Sequence, residues 1–304
     1  MSATTSAKND RRAVLKGFLA AAIVVCFWSG FNIVSRLGGR SELTAFDLAA
    51  LRFGVSGVML APVFLFRRRS LTPLQTVVLA ALGGLGYGLL IYSGFALAPA
   101  THAGILVNGG IPFSTAMLSL LVLGHRPSGK AILSLVIVGL GIAAIGMQSV
   151  SQAAGASEHQ WLGDGFFLGA AICFAAFGLL LKRWRAAPLE TVAGVAVVSM
   201  VLYLPVYFLF LPKSISTAPI SMIGLQCVYQ GLIAASAASL LYAYANQTIG
   251  PARASLMLAL VPGLSALLAV PLLGEAVNAV TIAGVLLVTV GAILGTTGQA
   301  RGPT

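Results

Sequence analysis

The sequence predicts an all-α polytopic membrane protein, with ten transmembrane helices arranged as two inverted five-helix repeats. Three observations carry this. Hydrophobic residues fill 58% of the 304 positions and charged residues only 8%, a balance foreign to ordinary soluble domains. The apolar residues fall into ten runs, and about 20 such residues span a bilayer core as a helix. The chain also repeats itself. LLIYSGFALAPATHAGILVNGGIP (Leu89 to Pro112) is echoed 150 residues later by SLLYAYANQTIGPARASLMLALVP (Ser239 to Pro262). Tyr92 falls on Tyr242, Pro112 on Pro262 and Gly124 on Gly274. Five runs per copy is an odd number, so the second copy lies upside down relative to the first. Such inverted repeats build pathways that open alternately to either side of a membrane.

The spans are predicted at Gly17–Leu37, Phe46–Phe66, Leu74–Leu97, Thr101–Leu123, Lys130–Gln148, Leu162–Leu181, Thr191–Leu211, Met222–Asn246, Ala252–Leu273 and Ala279–Gly295. Residues 1–16 read as a disordered cytoplasmic tail and 298–304 as a second cytoplasmic tail. The halves are 17–149 and 162–297, joined by an external linker at 150–161, VSQAAGASEHQW. The first span is too long, and lacks the cleavage pattern, for a removed signal peptide.

A net charge of +11 raises the question of nucleic acid, and the charge distribution answers it. If the spans alternate, 14 of the 18 basic residues lie on one face, among them Lys8, Arg11, Arg12, Lys16, Arg67 to Arg69, Lys182, Arg183 and Arg185. Arg36, Arg40 and Lys213 lie on the other, and Arg52 lies inside a span. The positive-inside rule then places both termini in the cytoplasm and accounts for the basic excess without nucleic acid. Cys26, Cys173 and Cys227 all fall within spans without metal-ligand spacing and read as small buried hydrophobes.

The halves align throughout. Phe27 to Arg36 matches Phe174 to Arg183, while Asp47 matches Glu190 and Pro62 matches Pro205 at an offset of 143. Small residues crowd the third and eighth spans, at Gly83, Gly84, Gly86 and Gly88 and from Ala234 to Ser239. In lipid, close packing through small residues replaces the hydrophobic effect as the force between helices. These two equivalent spans are therefore expected at the centre.

Several features bear on function. Pro112 and Pro262 fall near the membrane midplane, because 11 residues of helix from Thr101 rise about 16 Å. A mid-helix proline displaces the carbonyl four residues back, here that of Asn108 or Leu258, so a pair of gating kinks is expected. Trp28 and Asn32 share one face of the first span at four-residue spacing, and both need polar partners in lipid. Their counterparts Ala175 and Leu179 are apolar, so the pseudo-symmetry is broken chemically. Tyr87, Tyr92, Tyr203, Gln226, Tyr229, Gln230, Ser236, Ser239 and Tyr242 add polar and aromatic groups to the third, seventh and eighth spans. With Trp28, Asn32 and Asn108 they suit a pocket for small amphipathic molecules. Arg52 is the one strong charge well inside a span. It has two readings, attraction of a substrate carboxylate and support of a neighbouring loop.

Absences narrow the function further. Asp47, Asp164 and Glu275 stand near span ends, which disfavours a buried acid exchanging protons for substrate. His102, His125 and His159 read as surface. No phosphate-binding loop, metal motif or nucleophile elbow is present, so neither an enzyme nor ATP drive is expected, and no cofactor or metal. The expected partners are a small-molecule substrate and the bilayer, with no nucleic acid and no obligate protein partner, the chain acting as a monomer or homodimer.

WSGFNIVSR (Trp28 to Arg36), ALRFGVSG (Ala50 to Gly57) and LLGE (Leu272 to Glu275) followed by VTIAGVLLVTVGAIL resemble the drug/metabolite transporter superfamily, and within it the EamA-type ten-helix permeases. In that family LGE usually closes both halves, whereas the first copy here reads Leu123-Gly124-His125. The chain is most similar to bacterial members that export aromatic or other bulky neutral amino acids. The resemblance implies a similar role, export of amino acids and related metabolites, and an inner-membrane exporter with a central cavity bounded by spans one, three, four, six, eight and nine is expected. The absence of an embedded proton site implies facilitated export. A proton-coupled multidrug or metabolite exporter is the alternative, and an intramembrane enzyme a distant one.

Overall fold

The computed structural model describes residues 2–67, 70–123, 128–151 and 159–299, all helix and connecting loop. Ten helical segments follow in order: α1 Ser2–Gly39, α2 Ala45–Phe66, α3 Pro73–Leu97, α4 Ala100–Leu123, α5 Gly129–Ser151, α6 Gln160–Trp184, α7 Pro188–Phe210, α8 Ile220–Ile249, α9 in two pieces (Pro251–Leu258 and Val261–Leu273) and α10 Ala279–Gln299. Among the described residues nine helices are long and apolar enough to cross a membrane, and Ala279–Gly295 is a shorter apolar tenth.

The expected disordered tail is corrected at the start of the chain, where α1 runs unbroken from Ser2. No Pro or Gly stands between Ser2 and Lys16. Once the span has nucleated, extending the helix backward costs little per residue where no breaker intervenes. Most of the linker, 152–158, lies outside the described residues, as do Gly124 and His125. Cys26 is exposed on the outer surface, while Cys173 and Cys227 are half-buried, so none of the three is a fully buried hydrophobe.

Local chemistry sets the helix starts. Thr44 caps α2 in a reciprocal box with Asp47, and Thr72 caps α3 in the same way with Gln75, followed by Pro73 in the first turn. Each box satisfies two backbone donors that a helix start leaves open. The third and eighth spans differ from the uniform α-helices expected. Each widens in its middle into a π-helical stretch, Ala80–Gly86 in α3 and Cys227–Ala237 in α8. The two stretches occupy equivalent places in the repeat. Small residues leave room for a wider turn, and such turns often mark functional sites.

The packing obeys an exchange of the two halves. α1 packs on α8 as α6 does on α3, and α1 on α9 as α6 on α4. α2 lies against α8 as α7 lies against α3. The pairs α2 with α7, α4 with α9, and α5 with α10 map onto themselves. This is the pattern of a two-fold axis lying between the halves. Close approach depends on missing side chains at particular points. A Cβ on Gly39 would stand 2.5 Å from the Phe95 carbonyl oxygen, and one on Gly84 would collide with the Ser199 hydroxyl.

The core is lopsided along the membrane normal. Of the twelve largest fully buried side chains among the described residues, Leu79 alone lies in the half of its span toward the basic face. The other eleven, among them Tyr92, Phe95, Phe167 and Tyr207, lie in the half toward the opposite face. Dense packing on one side leaves space on the other.

Candidate functional site: a chamber closed at one face

That space is a chamber of about 520 Å³ between the halves. Side lobes of about 330 and 100 Å³ adjoin it, and Trp28 and Phe174 border all three spaces. It reaches Leu181, Ala186, Pro188 and Gln247, where α6, α7 and α8 meet the basic face. The π-helical stretches supply Gly83 and Gly84 from one half and Ala234 and Ala235 from the other. α2 and α7 also contribute, through Arg52, Phe53 and Ser56 and through Thr191 and Val192. More spans therefore border the chamber than the six expected, α2 and α7 among them.

Of the residues singled out in the sequence, Trp28, Asn32, Arg52, Tyr87, Asn108, Ser239 and Tyr242 line this space, and Pro112 and Pro262 line one lobe. The indole of Trp28 lies 5.4 Å from the Tyr242 ring, and Tyr87 lies 5.1 Å from Phe174. Asn32 donates to the Ser265 hydroxyl at 2.9 Å, tying α1 to α9, and Asn108 donates to the Gly104 carbonyl at 3.0 Å. The prolines are not equivalent in effect. α9 breaks at Ala259–Leu260, just ahead of Pro262, while α4 continues through Pro112. Phe31, Phe174 and Phe177, which the sequence reading passed over, complete the aromatic wall.

The other singled-out residues lie behind that wall. The Tyr92 hydroxyl donates to Gln230 Oε1 at 2.9 Å. Gln230 Nε2 donates to Ser35 Oγ and Gln226 Oε1, and Gln226 Nε2 donates to the Val34 carbonyl. The phenol and both amide groups of this buried chain find acceptors, and it pins α1, α3 and α8 together. Tyr203 donates to the Phe46 carbonyl, Tyr229 to the Phe27 carbonyl and Ser236 to the Gly231 carbonyl.

Arg52 is the only formally charged group among the described lining residues. Its guanidinium lies 5.6 Å from the Phe31 ring, which in turn lies 6.3 Å from the Tyr92 ring. Asp47, on the same helix, is engaged elsewhere. It accepts from Thr44, from the Ser214 N–H and from the Tyr207 hydroxyl. An arginine at the centre of a spanning helix costs roughly 2.5–3.5 kcal/mol on insertion scales, so its position facing a cavity points to use.

The face opposite the basic one is sealed around Glu275. Gly274 ends α9 in the left-handed conformation, at φ 63°, where glycine carries no Cβ penalty. The turn swings Glu275 over the start of α4, where its carboxylate accepts from the Ala100 and Thr101 N–H groups at 2.9 and 3.2 Å. Arg36 and Arg40 stand 3.6 and 3.7 Å away, ion-paired but beyond hydrogen-bond length. They donate instead to the carbonyls of Phe95 and Leu273. The LGE motif thus has a physical role, in which glycine makes the turn and glutamate joins α1, α4 and α9 at one face. Sequence alone did not reveal this, because the partners are separated by more than 170 residues.

Two further carboxylates follow the repeat. Asp47 at the start of α2 holds the Ser214 N–H beyond α7, and Glu190 at the start of α7 holds the Ser70 and Leu71 N–H groups beyond α2. Each pair is the other displaced by 143 residues. The expectation that His102 lies at the surface is corrected. It is 2% exposed, and its Nδ1 lies 3.0 Å from an equally buried Asp164 on α6. Residue 102 lies within the first turn of α4, but α6 packs over it. Among the described residues no group of three His, Cys, Asp or Glu side chains is placed to hold a metal.

The comparisons with known proteins come to a family and a fold. No curated protein matches the chain. A solved structure titled "Crystal structure of protein" is similar at 21% identity, covering 96% of this chain and 98% of that one with a TM-score of 0.61. At that identity the likeness speaks for the fold alone. The EamA-like transporter family matches residues 15–147 and 161–297, one match for each half. Two matched halves, ten apolar helices and a chamber between them make this chain a member of the EamA-like transporter family, a multi-pass membrane protein.

Proposed function

We propose that the protein exports small amphipathic metabolites, among them amino acids including aromatic ones, from the cytoplasm of a bacterium across its inner membrane by alternating access. The observation that carries this reading is the chamber itself. It is open toward the basic face, walled by Trp28, Tyr87, Phe174 and Tyr242, and closed at the far face by Glu275. The basic face is the cytoplasmic one under the positive-inside rule, so the conformation receives substrate from inside. Loosening the Glu275 contacts while the α3 and α8 halves close over the basic end passes the substrate outward. The transporter works as a monomer or homodimer, without a cofactor.

Facilitated export is the favoured mode, because no carboxylate faces the chamber among the described residues. The test is efflux of a panel of amino acids from loaded proteoliposomes with and without a pH gradient. Saturable efflux that ignores the gradient agrees with the proposal, and no efflux of any panel member contradicts it. The buried His102–Asp164 pair favours a second reading, proton-coupled export. Efflux that collapses with an uncoupler, and loses that sensitivity in Asp164→Asn, selects it.

A further inference from the structure

The chamber carries a sign. Its described lining residues include one cation, Arg52, and no carboxylate. Four carboxylates carried by the spans or the turn after α9 are committed elsewhere: Asp47 to Thr44, Tyr207 and Ser214, Glu275 to the α4 N-terminus, Asp164 to His102, and Glu190 to Ser70 and Leu71. Arg52 lies seven residues into α2 from its start at Ala45, about 10 Å down the helix. Around it stand an aromatic face, Phe31, and a phenol, Tyr87. Neither cancels its charge. In a cavity walled by apolar groups, electrostatic interactions are stronger than in water. A bound anion completes a pair there, and a bound cation meets uncompensated repulsion.

We infer that Arg52 sets substrate choice by net charge, and that the chamber prefers amphipathic organic monoanions, an aromatic or branched apolar body bearing one carboxylate, over zwitterions and over amines. This rests on the transport reading above and sharpens its substrate class. The guanidinium offers paired donors matched to a carboxylate, and the volume of about 520 Å³ lies within the ordinary range for enclosed small ligands. An α-ammonium group has only neutral acceptors and ring faces to meet, such as Asn108, Trp28 and Tyr242. A zwitterion is therefore accepted at a cost, and an amine without a carboxylate is rejected.

A matched series tests this: phenyllactate (anion), phenylalanine (zwitterion) and phenylalaninol (cation), which share one carbon frame. The full-length protein in detergent is titrated with each, following tryptophan fluorescence, and each is then used as competitor in proteoliposome efflux. The expected order of affinity is phenyllactate, then phenylalanine, then phenylalaninol, each step at least tenfold. Arg52→Gln should compress the whole span to within about threefold, and Arg52→Lys should keep the order while weakening phenyllactate, since an ammonium lacks the paired donors. A folded Arg52→Gln that keeps the order, or a wild-type preference for phenylalaninol, overturns the inference while leaving transport intact. If Arg52→Gln fails to fold, the wild-type order and Arg52→Lys decide it. Absence of efflux for every solute tried overturns the transport reading instead.

Discussion

Replacing Glu275 by Gln should open the face that the structure shows closed. The carboxylate accepts two backbone N–H bonds at the start of α4 and faces Arg36 and Arg40. Gln keeps one acceptor oxygen, so one charge-assisted bond is lost, about 1.5 kcal/mol. The Arg40 side chain is 41% exposed, and water screens that pair to about 0.5 kcal/mol or less. The Arg36 side chain is only 11% exposed. Losing its counter-charge would cost about 3–5 kcal/mol for a close buried pair, reduced here by the 3.6 Å separation and by the bond to the Phe95 carbonyl. A total of about 3 kcal/mol is a roughly 100-fold shift in the conformational equilibrium. Such a shift takes an outward-open state from about 1% to roughly half of the population. The assay places a single cysteine in the chamber, Ser239→Cys, in a background with Cys26, Cys173 and Cys227 replaced. A membrane-impermeant maleimide is then added from the face bearing Arg40 and Lys213. Labelling should rise at least tenfold in Glu275→Gln. An unchanged rate in a variant with normal thermal unfolding would refute the argument that this carboxylate holds the face shut.

Other perturbations separate the chamber wall from the structure behind it. Trp28→Ala should reduce transport strongly with little change in melting temperature, because Trp28 borders the open space. Tyr92→Phe should do the reverse, lowering stability by about 1–3 kcal/mol through the unmet Gln230 acceptor, as read by thermal unfolding in detergent. His102→Ala leaves Asp164 buried without its partner and should destabilise by about 3–5 kcal/mol, while adding Asp164→Asn in the same chain should recover much of that loss. Gly39→Ala forces a methyl group against the Phe95 carbonyl at about 1–3 kcal/mol. It should raise maleimide labelling of Ser239→Cys from the same face, as Glu275→Gln does.

The span count, the duplication and the charge asymmetry were legible in the sequence because each is a property of composition or of spacing along the chain. The Asp47 and Glu190 equivalence was legible as an alignment, but its purpose was not. Each side chain binds a loop of the other half, a contact that spacing along the chain does not encode. The residues lining the chamber were found where a polar or aromatic side chain stood out against an apolar run, as Trp28, Asn108 and Arg52 do. Phe174 and Phe177 did not stand out, since phenylalanine is ordinary in a membrane span. The π-helical turns were hidden for a related reason, because a stretch rich in small residues is compatible with close α-helical packing and with a wider turn alike. His102 misled because depth along a span and depth within the protein are different quantities. Within the first turn of α4, it is nonetheless covered by α6.

The inversion of the two halves is the claim on which the rest stands, and it is tested most directly by the positions where they begin. Single cysteines at Ala13, ahead of the first span, and at His159, ahead of the sixth, are labelled in sealed vesicles of known orientation. The account predicts that an impermeant reagent reaches one from inside only and the other from outside only. Labelling of both from the same compartment would contradict it.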